Sequence, residues 1–390
     1  MSLHDECPAR IGRLQQQIQQ QQLDGALFLY PIDIYYFTGT RQNGMLWVPA
    51  EGDAKLLIRK SLSRARLDAV SIEPMPFPSS RELSGIIGQP GQRIGTTFDV
   101  LPVTQLSYLK KVLPEREFLD VSAVNRELRS VKSLWEIDKI RFSGRQLSKV
   151  FSRVPDFLTE GMREIDLAAA FEESLRRLGG EGFVRMRAFN QELFQGLAVA
   201  SGAEHPGFFD GAVTGNGLSA AAPHGASTAI IKRDTPILID YAGIFDGYIV
   251  DMTRMFVVGN LHPDLQKAFD VACTIQNQLV DLLKPGNLCS DLFAVADSTA
   301  REAGLGDKFM GPPGEQAKFV GHGLGLELDE MPVLAKGFDV PLAAGQTIAI
   351  EPKFILPGLG AIGIENTFAV TEQGGDRLSD LPDDVIAVVP

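Results

Sequence analysis

The sequence predicts an α+β protein, with a smaller N-terminal α/β domain before a larger domain whose antiparallel sheet is covered by helices. The chain has 390 residues, which is too long for one ordinary hydrophobic core and favours two domains. Strand-like and helix-like segments alternate over roughly the first 125 residues. Beyond them, amphipathic helices precede strands that carry acidic residues. We therefore expect one domain over residues 1–128 and a second over residues 129–390.

The N-terminal domain is a simple series of predicted elements. A polar helix through the glutamine-rich residues 15–22 leads into an apolar strand at residues 26–30. Further apolar runs predict strands at residues 45–48, 55–58 and 93–97. No catalytic candidate stands out in this half of the chain.

The C-terminal domain places helices before acid-bearing strands. Apolar residues at helical spacing from Ile165 to Leu178 predict a helix that Gly179 and Gly180 end. Strand-like segments with the first acidic residues follow it. A long amphipathic helix through residues 265–282 and a second helix at residues 291–303 then precede the remaining strands. We expect the sheet built from these strands to be antiparallel.

Composition and charge limit the classes of function. Hydrophobic residues make up 44% of the chain and charged residues 22%, as in a folded globular protein. The net charge of −12 argues against nucleic acid or an anionic membrane as a partner. The sequence predicts neither a membrane span nor a signal peptide. Widely spaced cysteines form no disulfide framework, which fits a cytoplasmic protein: Cys7, Cys273 and Cys289.

Two aspartates lie inside one predicted hairpin. Asp240 and Asp251 flank an Asp246-Gly247 turn between apolar runs. Asp-Gly between strand-like segments is the strongest short hairpin signal. Folding back at this turn brings the two aspartates onto neighbouring strands, within cross-strand reach.

Two glutamates and a histidine complete the pattern. Glu351 and Glu365 flank a second turn at residues 357–360, and His322 lies among glycines between the two hairpins. Taken singly, each acid is explained as a turn residue or a solvated edge, and the histidine as structural. Together they place charge inside apolar strands, where it is rarely tolerated unless paired or bound to metal. We expect four buried carboxylates without basic neighbours, neutralised by two divalent cations.

The segments around these residues resemble the pita-bread metallopeptidases, a family that includes methionine aminopeptidase, aminopeptidase P and prolidase. The resemblance extends from about residue 131 to the C-terminus, and the N-terminal part is similar to the creatinase-type domain of aminopeptidase P and prolidase. It implies a C-terminal pita-bread domain with a curved antiparallel sheet. The matching segments occur in the family's order: residues 238–243, 247–254, 321–326, 350–352 and 363–367.

The resemblance also implies a ligand set. It assigns Asp240 to one metal ion, and His322 with Glu351 to the other, while Asp251 and Glu365 bridge the pair. A hydroxide between the ions would be the nucleophile. One nitrogen among oxygen donors suits manganese, cobalt, zinc or iron, and we favour manganese.

Further residues receive roles by the same resemblance. Glu351 is expected to handle a proton, and His224 matches a histidine that contacts substrate near the metals. Asp329 stands where the family commonly has a substrate-contacting histidine, and Lys318 stands where prolidase and aminopeptidase P often have another. An ionised aspartate accepts but does not donate hydrogen bonds, so Asp329 would treat the substrate differently from a histidine.

The predicted function is a dinuclear exopeptidase that hydrolyses the N-terminal peptide bond of small peptides, with Xaa-Pro as the favoured substrate. The resemblance does not separate an aminopeptidase P from a prolidase, and it implies a homodimer. Two alternatives follow from the departures at Asp329 and Lys318. One is a creatinase-like hydrolase of a non-peptide C–N bond, and the other is a binding protein with weakened catalysis.

Overall fold

The computed structural model describes residues 2–187, 195–207 and 211–388, which form two compact units. The first unit comprises the described residues up to Arg129 together with Arg187, and the second comprises the remaining described residues from Ser130 onward. Within the described ranges, every helix is too short or too polar to cross a membrane.

The first unit is a six-stranded mixed sheet with helices between its strands. The strand order is β4-β3-β2-β1-β5-β6. Its strands are β1 (Gly25–Phe28), β2 (Gly44–Pro49), β3 (Lys55–Ile58), β4 (Met75–Pro76), β5 (Arg93–Thr96) and β6 (Glu117–Asp120). Its helices are α1 (Leu3–Gln20), α2 (Pro31–Thr38), α3 (Leu62–Asp68), α4 (Ser80–Ile86), α5 (Val103–Val112) and α6 (Ser122–Ser130).

The strands expected from apolar runs therefore occur within a residue or two of their predicted positions. The glutamine-rich helix is present as α1. It buries Leu14 and Ile18, while most of its glutamines are exposed. A buried carboxylate, Asp33, accepts hydrogen bonds from Asn125, Arg129 and Arg187. The buried charge of Asp33 is thus paired, as the cost of desolvating it requires.

The second unit contains more strands than helices. Its helices are α7 (Leu134–Phe151), α8 (Val154–Phe157), α9 (Glu164–Arg177), α10 (Pro263–Leu282) and α11 (Cys289–Glu302), followed by a 3₁₀ turn at Gly306–Lys308. Its strands are β7 (Gly196–Val199), β8 (Pro236–Phe245), β9 (Tyr248–Val258), β10 (Phe319–Leu324), β11 (Leu328–Ala335), β12 (Thr347–Ile350), β13 (Lys353–Leu356), β14 (Gly360–Gly363), β15 (Asn366–Thr371), β16 (Gly374–Arg377) and β17 (Ile386–Val388).

These strands form two sheets and a short ribbon. One sheet has the order β11-β10-β12-β15-β16 and is antiparallel throughout. The other has the order β17-β9-β8-β7, and β13 pairs only with β14 among the described strands. The strands pair antiparallel as expected except at one edge, where β17 runs parallel to β9. Arg254 on β9 donates to the carbonyls of Leu381 and Pro382 in the segment before β17.

Helices α10 and α11 cover the five-stranded sheet and the ribbon. The apolar stripe that predicted α10 is the stripe that the structure buries, including Leu265, Phe269, Ile275 and Leu279. A helix with one apolar face must bury it against another layer, and the sheet supplies that layer. The core therefore lies directly behind the strands that carry the acidic residues.

The β8–β9 hairpin folds as its sequence indicates. Asp246 and Gly247 have positive φ values of 50° and 81°, the conformation that a tight turn between twisted strands requires. The resulting register sets Asp240 opposite Thr253 and Ala242 opposite Asp251. The two aspartates are thus offset by two residues on neighbouring strands and point to the same face.

A buried glutamate at the start of α9 anchors two loop segments near this face. One carboxylate oxygen of Glu164 accepts hydrogen bonds from the backbone N–H groups of Ala200 and Ser201, and the other accepts from the N–H and hydroxyl of Ser227. Glu164 is fully buried, so these charge-assisted bonds replace its lost hydration. They tie the end of β7 to the loop before β8.

Candidate metal centre

Five side chains predicted from the sequence meet at one cavity of the second unit. Asp240 and Asp251 come from β8 and β9, and His322 comes from β10. Glu351 follows β12 and Glu365 precedes β15, at a point where these strands pair. All five line the same cavity. An isolated antiparallel bridge between Thr253 and Glu365 joins the hairpin to the other sheet, which explains why residues distant in sequence converge.

One side of the cluster suits a divalent ion. Nε2 of His322 lies 3.9 Å from Asp251, 3.6 Å from Glu351 and 3.8 Å from Glu365, measured to one carboxylate oxygen of each. Donors that share an ion at about 2.1 Å lie roughly 3–4 Å from one another. Three of these residues, Asp251, His322 and Glu365, offer atoms that all lie within 4.8 Å of one another. The residues therefore fit one ion bound by nitrogen and oxygen.

The opposite side of the cluster contains a lysine. Nζ of Lys353 lies 2.7 Å from Asp240, 2.8 Å from Glu351 and 3.0 Å from Glu365. Lys353 is 2% exposed. The expectation that the acids have no basic neighbour is therefore wrong, because a buried ammonium donates to three of the four carboxylates.

Burial and mutual charge shift the pKa values of this cluster. Burial raises the pKa of Asp240, Asp251 and Glu365, and repulsion from Glu365 adds to the rise at Asp251. Burial alone lowers the pKa of Lys353, but Asp240 and the neighbouring glutamates raise it by more, to well above its usual range. The carboxylates are thus unfavourable as anions unless a cation is close, and Lys353 is one such cation.

Hydroxyl groups orient two of the carboxylate-bearing residues. The hydroxyl of Thr253 donates to Glu365 over 2.8 Å. The hydroxyl of Thr367 accepts from the backbone N–H of Asp251 and donates to its carbonyl, which binds β9 to β15. Both threonines are fully buried. The Thr253 contact restricts the rotamer of Glu365, as the partners of metal ligands commonly do, and the Thr367 contacts hold the backbone that carries Asp251.

Asp329 lies beside His322 and also lines the cavity. Its carboxylate is 3.2 Å from Nδ1 of His322, and the carbonyl of Gly323 lies 3.2 Å from the same nitrogen. If Nδ1 carries the proton, it donates to these oxygens. Nε2 then has a free lone pair on the side of the other carboxylates, where an ion would bind. Burial lowers the pKa of His322, but Asp329 and the two glutamates outweigh burial and raise it. The structure thus places Asp329 against the imidazole.

The cavity has an apolar wall as well as a charged floor. Side chains of Leu197, Val213, Phe319 and Leu328 line it beside the acids. Such a combination of apolar surface and a few convergent polar groups is typical of small-molecule sites. The wall can receive a compact apolar group next to the charged cluster.

Comparison with known proteins identifies the family. A model described as metallopeptidase family M24 matches residues 138–372. The chain belongs to this family. A second model, the creatinase/prolidase N-terminal domain, matches residues 10–131. The predicted membership of the pita-bread metallopeptidases and the prediction of a peptidase are both confirmed.

Individual relatives agree over nearly the full length. The M24 chain is 27% identical over 372 residues to the Xaa-Pro dipeptidase of Pyrococcus furiosus, covering 95% of this chain and 97% of that protein. The prolidase structure from Pyrococcus horikoshii OT3 matches with a TM-score of 0.80 at 25% identity, over 97% of this chain and 100% of that one. The X-Pro aminopeptidase from Thermotoga maritima MSB8, at 23% identity, shares the fold with a TM-score of 0.78 over 97% and 99% of the two chains. These matches confirm the predicted fold class.

Two other residues singled out in the sequence, His224 and Lys318, lie outside this cluster. His224 is half-buried in the loop before β8 and is not among the described residues that line the cavity. Lys318 is exposed, just before β10, and lines a separate surface depression with Lys336. The catalytic role of His224 stays a prediction, since only its location is described.

Lys353 was missed from the sequence, although a signal for it existed. It stands two residues after Glu351, at the head of the otherwise apolar strand β13. The same rule that singled out the acids, charge inside an apolar strand, applies to it. The predicted metal centre included only carboxylates and histidines, so it did not include the lysine.

The contact between Asp329 and His322 leads to a prediction for metal binding. We expect Asp329→Asn to weaken Mn²⁺ binding by roughly 10–100-fold, the usual cost of losing a partner that orients a metal-binding histidine. Isothermal titration with Mn²⁺ measures the change. Asp307→Asn, at an exposed aspartate of the same unit, is the matched control and should bind like the wild type. Unchanged affinity in Asp329→Asn would show that the contact does not position the imidazole.

Proposed function

We propose that this chain is a metal-dependent exopeptidase that hydrolyses the N-terminal peptide bond of small Xaa-Pro peptides. The observation that carries the proposal is the convergence of four carboxylates and His322 at the floor of one cavity. Membership of metallopeptidase family M24 gives the reaction class. The near-full-length similarity to a protein described as an Xaa-Pro dipeptidase supports the choice of substrate.

The donor set favours manganese among the divalent ions, because three carboxylate oxygens accompany a single imidazole nitrogen. Asp251, His322, Glu351 and Glu365 would hold the ion. A bound divalent ion supplies Lewis-acid polarisation of the scissile carbonyl and makes water easier to deprotonate. The number of ions depends on Lys353, whose ammonium contacts the carboxylates opposite His322.

The protein's own side chains supply positioning and proton transfer. Glu351 contacts both sides of the cluster and is the carboxylate that we assign to accept a proton from the attacking water and return it to the leaving amine. Leu197, Val213 and Phe319 form an apolar wall suited to the pyrrolidine ring of proline. Asp329 keeps His322 in one orientation. Homodimer formation and a cytoplasmic location remain predictions from the sequence.

A peptide panel tests the proposed function. We expect the purified chain, loaded with Mn²⁺, to release the N-terminal residue from Xaa-Pro dipeptides or from longer Xaa-Pro peptides, and to leave Xaa-Ala analogues largely intact. Chelation should abolish release and Mn²⁺ should restore it, since the ion supplies the electrophile. Amino-acid release is quantified by chromatography, and the relative rates on dipeptides and longer peptides distinguish a dipeptidase from an aminopeptidase.

Two outcomes would contradict the proposal in different ways. Equal release before and after chelation would show that hydrolysis does not need the ion. A chain that binds metal but releases no amino acid from any peptide of the panel would favour the creatinase-like alternative, hydrolysis of a non-peptide C–N bond.

A further inference from the structure

Lys353 is the most unusual member of the acidic cluster. An ammonium group has three N–H donors and no acceptor, and here three carboxylate oxygens surround it. Its partners are Oδ2 of Asp240, Oε2 of Glu351 and Oε2 of Glu365, at 2.7, 2.8 and 3.0 Å. Each donor has one acceptor. The group therefore occupies a complete, buried cation site.

The neighbouring strand has a glycine opposite Lys353. Lys353 begins β13 and lies opposite Gly363 on β14. A Cβ atom added at Gly363 would lie 2.6 Å from Cγ of Lys353, closer than real side-chain contacts allow. The backbone carbonyl of Lys353 also accepts a hydrogen bond from the N–H of Met310. The carbonyl oxygen of Pro352 would lie 2.7 Å from the same added atom, so Gly363 makes room both for the approach of the neighbouring backbone and for the lysine stem.

The two glutamates divide their oxygen atoms between two cation positions. Oε2 of Glu351 and Oε2 of Glu365 accept from Lys353. The other oxygen of each, Oε1, faces Nε2 of His322 at 3.6 and 3.8 Å. Asp251 stands on the His322 side through Oδ2, and Asp240 stands on the Lys353 side through Oδ2. The cluster therefore has one side arranged for an ion and one side filled by an ammonium.

We infer that the centre holds a single divalent ion, on the His322 side, and that Lys353 is the permanent second cation in place of the second ion that the family resemblance implies. This inference rests on the metal centre of the proposed function, but not on peptide hydrolysis. It assigns Asp240 to the ammonium and not to a metal ion.

The distances around Lys353 distinguish one bound ion from two, whereas the net charge of the cluster does not. With Asp240, Asp251, Glu351 and Glu365 ionised at −4, Lys353 and one divalent ion leave −1, whereas Lys353 and two ions leave +1. A second ion would need the oxygens that Lys353 uses, at about 2.0–2.2 Å from each. Those oxygens lie 2.7–3.0 Å from Nζ, so the ion and the ammonium would occupy overlapping space.

Metal stoichiometry tests this inference directly. The full-length protein is loaded with excess Mn²⁺ and freed of unbound metal by gel filtration. Manganese is then counted by mass spectrometry, and its electron paramagnetic resonance spectrum is recorded. We expect one ion per wild-type chain with the hyperfine spectrum of an isolated Mn²⁺. Lys353→Met, which keeps most of the stem and removes the ammonium, should bind two ions with an exchange-coupled spectrum.

Control variants separate the explanations. Lys336→Met, at an exposed lysine, should keep one ion per chain. Asp240→Asn should also keep one ion, whereas a two-ion centre would lose an ion when Asp240 is changed. This second variant tests the inference even if Lys353→Met does not fold.

The possible failures are distinguishable. Two ions in the wild type, or one ion in a folded Lys353→Met, would overturn the role of Lys353 and leave the proposed peptidase intact. No bound ion in the wild type would remove the metal centre itself, and with it both proposals.

Discussion

Glu365→Gln is expected to lower both Xaa-Pro hydrolysis and Mn²⁺ affinity by more than about 100-fold. Loss of a residue that only orients a metal ligand costs up to about 100-fold, and Glu365 is proposed as a ligand itself. Glu365 faces both the His322 side and the Lys353 side of the cluster. Glutamine has nearly the same shape but carries no charge. The variant therefore removes an ion-binding charge with little change in packing.

The surroundings of Glu365 explain the size of this effect. The residue is 1% exposed, so solvent does not compensate for the lost charge. Its Oε2 accepts from Thr253 as well as from Lys353. A glutamine amide turned either way presents an N–H₂ group to one side of the cluster, where only an acceptor is useful.

Activity, titration with Mn²⁺ and near-ultraviolet circular dichroism together measure the result. Glu372→Gln, at an exposed glutamate seven residues along the chain, should match the wild type in all three. A Glu365→Gln protein that retains native dichroism together with wild-type affinity for Mn²⁺ would show that Glu365 is not a ligand.

Arg254→Met is expected to cost about 3–5 kcal/mol in the free energy of unfolding, the range for breaking a buried charge network. Arg254 is fully buried on β9. Burial lowers the pKa of its guanidinium to about 10, so it is still protonated at neutral pH. The variant removes a buried cation together with its ion pair to Asp383, whose carboxylate lies 3.2 Å from the guanidinium.

The contacts of Arg254 connect three parts of the second unit. It donates to the carbonyls of Glu365, Leu381 and Pro382 and to the side chain of Asn366, at 2.8–3.0 Å. Methionine fills similar volume but donates no hydrogen bond, so each of these acceptors loses one donor. The loss is greatest at the carbonyl of Glu365 and the side chain of Asn366, because both residues are buried. The position of Glu365 in the metal centre depends on the same contacts.

Urea unfolding followed by far-ultraviolet circular dichroism measures the loss of stability. Arg301→Met is the control, since Arg301 is 67% exposed and pairs with Asp297 on the same helix. That change should cost less than about 1 kcal/mol. Equal effects of the two substitutions would show that the buried network contributes no more than a surface ion pair.

Local signals in the sequence were sufficient to predict much of this structure. The Asp246-Gly247 turn defined the β8–β9 hairpin, because two consecutive positive φ values need such residues. Helical spacing of apolar residues predicted α10 and the face that it buries. Acids inside apolar strands predicted a shared charged site, and the structure brings all five together.

The place of Asp329 could not be predicted in this way. Its contact with His322 depends on the pairing of β10 with β11, whose register shifts on both sides of Gly323. Asp329 itself has a φ of 56°, which aspartate tolerates. A register shift changes which side chains meet across two strands, and nothing in the local pattern marks where it occurs.

The sequence by itself determined the family, the two hairpins and the set of acids with their histidine, because each depends on residue type and short-range spacing. Only the tertiary structure shows that the ammonium group of Lys353 contacts those acids. Lys353 reaches them through the β13–β14 ribbon and the space left by Gly363. The direction of a side chain at the start of a strand depends on how that strand docks, and docking is a property of the folded unit.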